Sequence, residues 1–244
     1  MRRVIVISYG LFCLGILASF SCYSVERNDE FTKGLAKALN AEQLSQYMYL
    51  EAIPNETVKI NKNSAAFSID KNQPKLNSGI RSELSINFPY KVGESVSYKF
   101  DMFIPASFMS DDLNRWSLLA QWHDQPNFDK GEVWKNHPKL SPPVFIFTES
   151  NYGSFGIGIQ YGLNQRVWFP IQKNLWHQFE FRFLWSKTNE GKLQVLLNDA
   201  YKFSFEGQNM LNEYQHYLKI GLYRHPEIKG HNEIHFRNLS ISKI

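Results

Sequence analysis

From about Ala52 onward the chain is written in short runs that alternate apolar and polar residues, broken by turn-forming positions. Successive side chains on a strand point to opposite faces, so such alternation predicts half-buried β-strands. Runs at 66–70, 81–86, 96–104, 116–123, 144–148, 155–161, 176–185, 193–197, 218–223 and 235–241 fit this pattern. Asn189 to Lys192 and Asn198-Asp199 carry the turn chemistry of hairpins. The clearest run is Tyr217-Leu218-Lys219-Ile220-Gly221-Leu222-Tyr223-Arg224. Leu218, Ile220 and Leu222 fall on one face; Tyr217, Lys219, Gly221 and Tyr223 fall on the other. A glycine in mid-strand weakens it unless something approaches the backbone closely, and a sugar chain lying across the strand would do so.

Ahead of these runs the pattern differs. Phe31, Leu35, Leu39 and Leu44 recur near helical spacing in a polar stretch, and Asn28 or Asp29 offers a cap. Residues 23–50 therefore read as a spacer with a short helix. Asp124 to Pro143 reads as a loop rich in charge, proline and glycine. Many short strands with little helical pattern predict an all-β sandwich over residues 51–244.

Residues 1–22 have the build of an export signal: Met1-Arg2-Arg3, an apolar run from Val4 to Phe20, and small residues before Cys22. The expectation is a secreted protein or a periplasmic or outer-membrane lipoprotein, with Cys22 as the lipid-anchored residue in the second case. The preceding Leu17-Ala18-Ser19-Phe20-Ser21 is an imperfect lipobox. Both cysteines, Cys13 and Cys22, sit in this leader, so the domain must hold together without a disulfide.

Composition narrows the partners. The 244 residues suffice for one sandwich-sized domain. A net charge of +4 fits an acidic ligand without demanding one, and no lysine- or arginine-rich run of the nucleic-acid type occurs. A monomer is expected. Aromatic residues make up 15% of the chain, and most of them read as packing. Trp116, Trp168, Trp176 and Trp185 belong to that group, while Tyr161 is a candidate for the lining of a groove. His137, His177, His216 and His225 receive no role.

Three runs carry chemistry on one face. Arg81 and Glu83 share a face opposite Leu84. Leu119, Gln121 and His123 share a face opposite Trp122. Lys219 and Tyr223 share a face of the run above. If the three strands are neighbours, they line a groove with a guanidinium, an amide, an imidazole, an ammonium, a phenol and one orienting carboxylate. A glycosidase needs two carboxyl groups across the bond; Glu149, Glu180 and Glu206 are the places to look for a second. No metal-ligand spacing stands out; His231 and His235 lie in a strand-like run. The set suits β-elimination on a uronic acid. Removing the C5 proton builds charge on the adjacent carboxylate, which Arg81 and Gln121 can neutralise. Tyr223 and His123 can serve as base and acid, in either order, with Lys219 or Arg224 near the phenol. Each piece alone also reads as ordinary strand surface.

With these residues in view, the chain resembles the jelly-roll polysaccharide lyases, the group of heparin lyase I, the glucuronan lyases and alginate lyases of similar fold. Arg81-Ser82-Glu83-Leu84, Gln121-Trp122-His123 and the Tyr217 to Arg224 run match in sequence and in order. Trp116 to Ala120 and Pro142-Pro143 resemble the heparin and glucuronan branch, since the alginate branch usually has isoleucine or valine where Trp122 stands. The resemblance implies a β-jelly roll of the concanavalin A-like kind with a concave groove, and a polysaccharide lyase acting on an acidic polysaccharide. It implies Tyr223 as base or acid, His123 as its partner, Gln121 and Arg81 on the uronate carboxylate, and Lys219 on that carboxylate or a sulfate. Glu83, Arg224, Tyr217 and Tyr161 complete the expected substrate-binding set. Some members of the group bind calcium, so the resemblance leaves calcium open; no aspartate-rich loop for it stands out, and no cofactor is expected. The compact chain tilts the substrate towards a less sulfated polyuronate. A lectin-like carbohydrate-binding sandwich and a glycoside hydrolase of the same architecture are the alternatives.

Overall fold

The computed structural model describes residues 29–111, 113–151 and 153–244. The leader with Cys13 and Cys22, and the cap candidate Asn28, lie outside the described residues. The chain forms a helix α1 (Asp29–Ala38) and then strands β1 (Met48–Glu51), β2 (Val58–Asn61), β3 (Ser64–Ile69), β4 (Ile80–Ile86), β5 (Ser95–Phe103), β6 (Ser117–His123), β7 (Val144–Asn151), β8 (Ser154–Tyr161), β9 (Gln165–Pro170), β10 (Trp176–Leu184), β11 (Lys192–Leu197), β12 (Ala200–Glu206), β13 (Tyr217–Arg224) and β14 (Asn232–Lys243). They pair antiparallel in two seven-stranded sheets, β1-β4-β13-β6-β7-β8-β9 and β12-β11-β10-β5-β14-β3-β2. This is the expected jelly-roll sandwich.

The two inner faces meet in one aromatic-rich core. Trp122 from the first sheet packs on Phe181 and Phe183 of the second, with centroids 4.9 and 5.0 Å away, and Phe183 stacks on Trp185 at 4.2 Å. Leu218, Ile220 and Leu222 are fully buried in it, as their alternation predicts. Burying such side chains contributes about 1.5–3 kcal/mol each, which is how the domain holds without a disulfide.

Four strands escape the sequence pattern: β1, β2, β9 and β12. They are the four edges of the two sheets. An edge strand buries less and so carries a weaker alternation signal. The Asn198-Asp199 turn between β11 and β12 has both residues at positive φ, 50° and 61°, the geometry of a type I′ hairpin. Residues 29–50 do contain the expected helix, but it is no free spacer. Leu35 and Leu39 are fully buried in the common core, and β1 pairs along β4.

Candidate active site

The outer face of the first sheet collects the chemistry. β4, β13 and β6 are adjacent strands, so the three runs that sequence singles out lie side by side. Register fixes who faces whom: Tyr223 opposes Arg81, Gly221 opposes Glu83, Lys219 lies between Ser85 and Gln121, and Tyr217 opposes His123. β1 adds Glu51 opposite Glu83.

At the centre is a buried ionic network. Arg81 Nη1 donates to Glu83 Oε2 at 3.2 Å and lies 3.8 Å from Glu51 Oε2. Gln121 Nε2 donates to Glu83 Oε1 at 2.5 Å. Lys219 Nζ donates to Glu51 Oε2, which Ser85 Oγ reaches at 3.3 Å, while Asn77 Nδ2 holds Oε1. Thus Glu83 fixes Arg81 and Gln121 together, and Glu51 fixes Lys219. Burial pushes the Glu83 carboxyl up, against the pull of Lys219 and Arg81. Burial acts the same way on Glu51, but there the Lys219 and Arg81 charges win and the carboxyl falls below its ordinary range. The Lys219 ammonium loses solvation, yet Tyr217, Glu83 and Glu51 outweigh that and raise it.

A phenol stands at each end of this network. The Arg81 guanidinium stacks 4.0 Å over the Tyr223 ring, and Trp116, 40% exposed, meets that ring edge-on at 4.7 Å. Tyr223 rests over Gly79, where any β-carbon would come within 2.5 Å of its ring. At the other end the Tyr217 ring stacks on His123 at 5.9 Å, with the exposed Trp134 edge-on to it at 6.2 Å. Burial pushes the Tyr217 phenol up despite Lys219. Tyr223 pairs with Leu118 while Tyr217 pairs with His123. Tyr223 is thus five positions from His123 along β6, about 16 Å between backbone levels at strand rise. The phenol beside His123 is that of Tyr217.

Several expectations need correction. Tyr161 does not line the groove: it points inward, fully buried, stacks on Phe205 at 5.2 Å and donates to the Gly207 carbonyl at 2.7 Å. Its place in the sheet puts it on the inner face with Ile157 and Ile159. Arg224 also leaves the groove face. Strand alternation turns it inward, 1% exposed, with Nη2 on the Gly230 carbonyl at 2.8 Å. Leu119 is not on the Gln121 face, because a bulge between Leu118 and Ala120 shifts the alternation and sends Leu119 into the core. What crowds Gly221 is protein. Its φ is 133°, and a β-carbon there would lie 2.2 Å from the Ser82 carbonyl oxygen of β4. Of the candidate second carboxylates, Glu180 and Glu206 lie on the other sheet, and Glu149, on the groove sheet, is paired with Arg166 at 2.9 Å.

Sequence reasoning missed Glu51, Asp124 and His137. Glu51 sits at the end of an edge strand whose pattern is too short to read. Asp124 and His137 belong to a loop, where no periodicity tells which side chains turn inward. Among the described residues no three His, Cys, Asp or Glu side chains gather as metal ligands.

Known proteins share this fold. The endo-β-1,4-glucuronan lyase of Trichoderma reesei superposes with a TM-score of 0.57 at 13% identity, covering 81% of this chain and 87% of that one. Alginate lyase Aly36B gives a TM-score of 0.54 at 13% identity, over 80% and 87% of the two chains. A family 7 alginate lyase in complex with substrate gives 0.56 at 12% identity, over 87% and 95%. At such identities the likeness is one of fold. A comparison with curated proteins finds no match. The family described as polysaccharide lyase matches residues 48–240, which takes in both sheets from β1 into β14. On that match the chain belongs to the polysaccharide lyase family.

Proposed function

We propose that the protein cleaves a uronic acid-containing polysaccharide by β-elimination on the outer face of the β4-β13-β6 sheet. The observation that carries this reading is the convergence of Arg81, Gln121, His123, Lys219 and Tyr223 on three adjacent strands of one face. A uronate bound over Lys219 and Gly221 lies along the strand between the levels of Tyr223 and His123. Arg81, Gln121 and Lys219 meet the carboxylate and neutralise the charge that builds there. One of His123 and Tyr223 takes the proton from C5. The C5–H electron pair becomes the C4–C5 double bond as the C4–O4 bond breaks, and the other group gives its proton to O4. Water is not consumed, and the product carries an unsaturated uronate at its new end.

Substrate class follows from charge. Arg81 and Lys219 are the two central cations and are shared with Glu51 and Glu83, so once they meet the uronate carboxylate no further central cation is left for sulfate. The reading is therefore an unsulfated or weakly sulfated polyuronate. The solved relatives act on glucuronan and alginate by name, which accords with it. The test is the near-ultraviolet absorbance of the unsaturated product with glucuronan, alginate, heparan and heparin in turn. A signal with glucuronan or alginate and none with heparin is expected. No signal from any of the four would sink the proposal.

A further inference from the structure

We infer that Asp124 and His137 are positioning residues for His123, an assembly that deepens the lyase reading and rests on it for its catalytic consequence. His123 ends β6, and its Nδ1 is hydrogen-bonded to the Asp124 carbonyl oxygen at 2.9 Å; Asp124 Oδ1 lies 2.8 Å from the same nitrogen as a charge contact without hydrogen-bond geometry. Both are acceptors, so in the neutral ring Nδ1 carries the proton. Nε2 then holds the lone pair, and among the described residues it has no hydrogen-bond partner. It is left for the substrate.

The other oxygen of that carboxylate is the hydrogen-bonded one. His137 Nε2 lies 2.8 Å from Asp124 Oδ2, and Asp124 is 1% exposed. A carboxylate this buried is costly unless its partners favour the charged form. Here they do: burial pushes the Asp124 carboxyl up, but its contacts with His123 and His137 carry it below its ordinary range. The third imidazole, His216, faces the cluster as a neutral ring; it accepts from the Leu211 amide and lies against the Tyr214 carbonyl. Tyr217 covers the His123 ring from β13.

The consequence is electrostatic. Whether His123 takes the C5 proton or meets the developing carboxylate charge, the ring passes through or holds a cationic form. A fixed, dry carboxylate beside Nδ1 stabilises that form without having to reorganise. His137 keeps the carboxylate aimed. It comes from the 124–143 loop, whose Trp134 also meets Tyr217, so the loop and the proton-transfer end of the groove are one unit.

Asp124→Asn keeps the shape and removes the charge. With the polyuronate that the wild type cuts, kcat should fall about 10²–10⁴-fold, the range that general acid–base catalysis supplies, with KM nearly unchanged. In ¹⁵N-histidine NMR the His123 Nδ1 proton should move upfield as the charge 2.8 Å from it is lost. A kcat close to wild type, or an unmoved Nδ1 proton, overturns the inference. Should Asp124→Asn not fold, His137→Gln reads the same carboxylate from its other side. A kcat loss of about tenfold at constant KM supports the assignment, one hydrogen bond to a charged group being involved; an unchanged kcat overturns it. If the wild type cuts none of the four polysaccharides, the lyase reading fails, and the NMR arm still decides the contact.

Discussion

Two arginine–glutamate pairs, each spaced two residues apart on a strand, sit on opposite outer faces of the sandwich. Arg182 Nε reaches Glu180 Oε1 at 2.6 Å on the second sheet, with Lys99 alongside; Glu180 is buried, but both cations are about half exposed. Arg81 reaches Glu83 at 3.2 Å on the first sheet, where both side chains are buried under Tyr223, Tyr217 and the network around them. In sequence the pairs are the same motif read in opposite directions. In water such a pair contributes little, because solvent screens it. Out of water each charge needs a partner or it destabilises the fold, and a rigid set of donors can then act on a ligand's charge. Burial of both partners, and not of the carboxylate alone, separates the candidate catalytic face from the other.

That contrast can be tested from its strongest consequence downwards. Tyr223→Phe should abolish formation of the unsaturated product, a loss of about 10²–10⁴ in kcat, with the melting temperature kept. Turnover near wild type would remove Tyr223 from the mechanism and move attention to Tyr217→Phe, the phenol that touches His123. Glu51→Gln strands Lys219 in the network and should cost about 3–5 kcal/mol in denaturant titration. A loss as small as that of an exposed pair would show that water reaches the cluster. Gln121→Ala should lower turnover by about 10²–10³ if the amide meets charge in the transition state; an unaltered rate makes it a spacer for Glu83.

The fourth test concerns pH. Burial pushes His216 down to about 4, so the unfolded chain binds its proton first. Between about pH 6.5 and 4 the unfolded state holds more protons than the native one, and stability falls as the pH falls. The contribution is about 3 kcal/mol across that window. It should appear as the difference between wild-type and His216→Gln stability curves, which removes the opposing effect of Glu83. Smallest of all, Glu180→Gln, which keeps the shape and leaves only the half-exposed Arg182 and Lys99 without their charge partner, should change stability by about 0–1 kcal/mol. A larger effect there would collapse the distinction between the faces.

How legible all this is from sequence depends on burial as well. The ten strands that alternation marks are there, because an inner strand must bury every second side chain and the pattern records it. The edge strands β1, β2, β9 and β12 are under no such demand, and their pattern is weak. The same logic separates the site residues. Arg81, Glu83, Gln121, His123, Lys219, Tyr217 and Tyr223 sit on strands whose opposite face is core, so their side is fixed by parity. Parity places Arg224 and Tyr161 too, but on the inner face: Arg224 follows Tyr223 by one residue, and Tyr161 follows Ile157 and Ile159 by two-residue steps. Leu119 fails for another reason, since a bulge inserts a residue and alternation across it no longer holds.

By itself the sequence determined the class of fold, the three chemical runs and the side of the sheet each faces, because period-two patterning against a core is a local property. Only the tertiary structure decided which runs are neighbours and in what register. It thereby set Tyr217 rather than Tyr223 beside His123, brought Glu51 from an edge strand to Lys219, and closed Asp124 and His137 behind the imidazole. Those choices depend on strand order, a bulge and the path of a loop, and each is fixed by contacts between residues far apart in the chain.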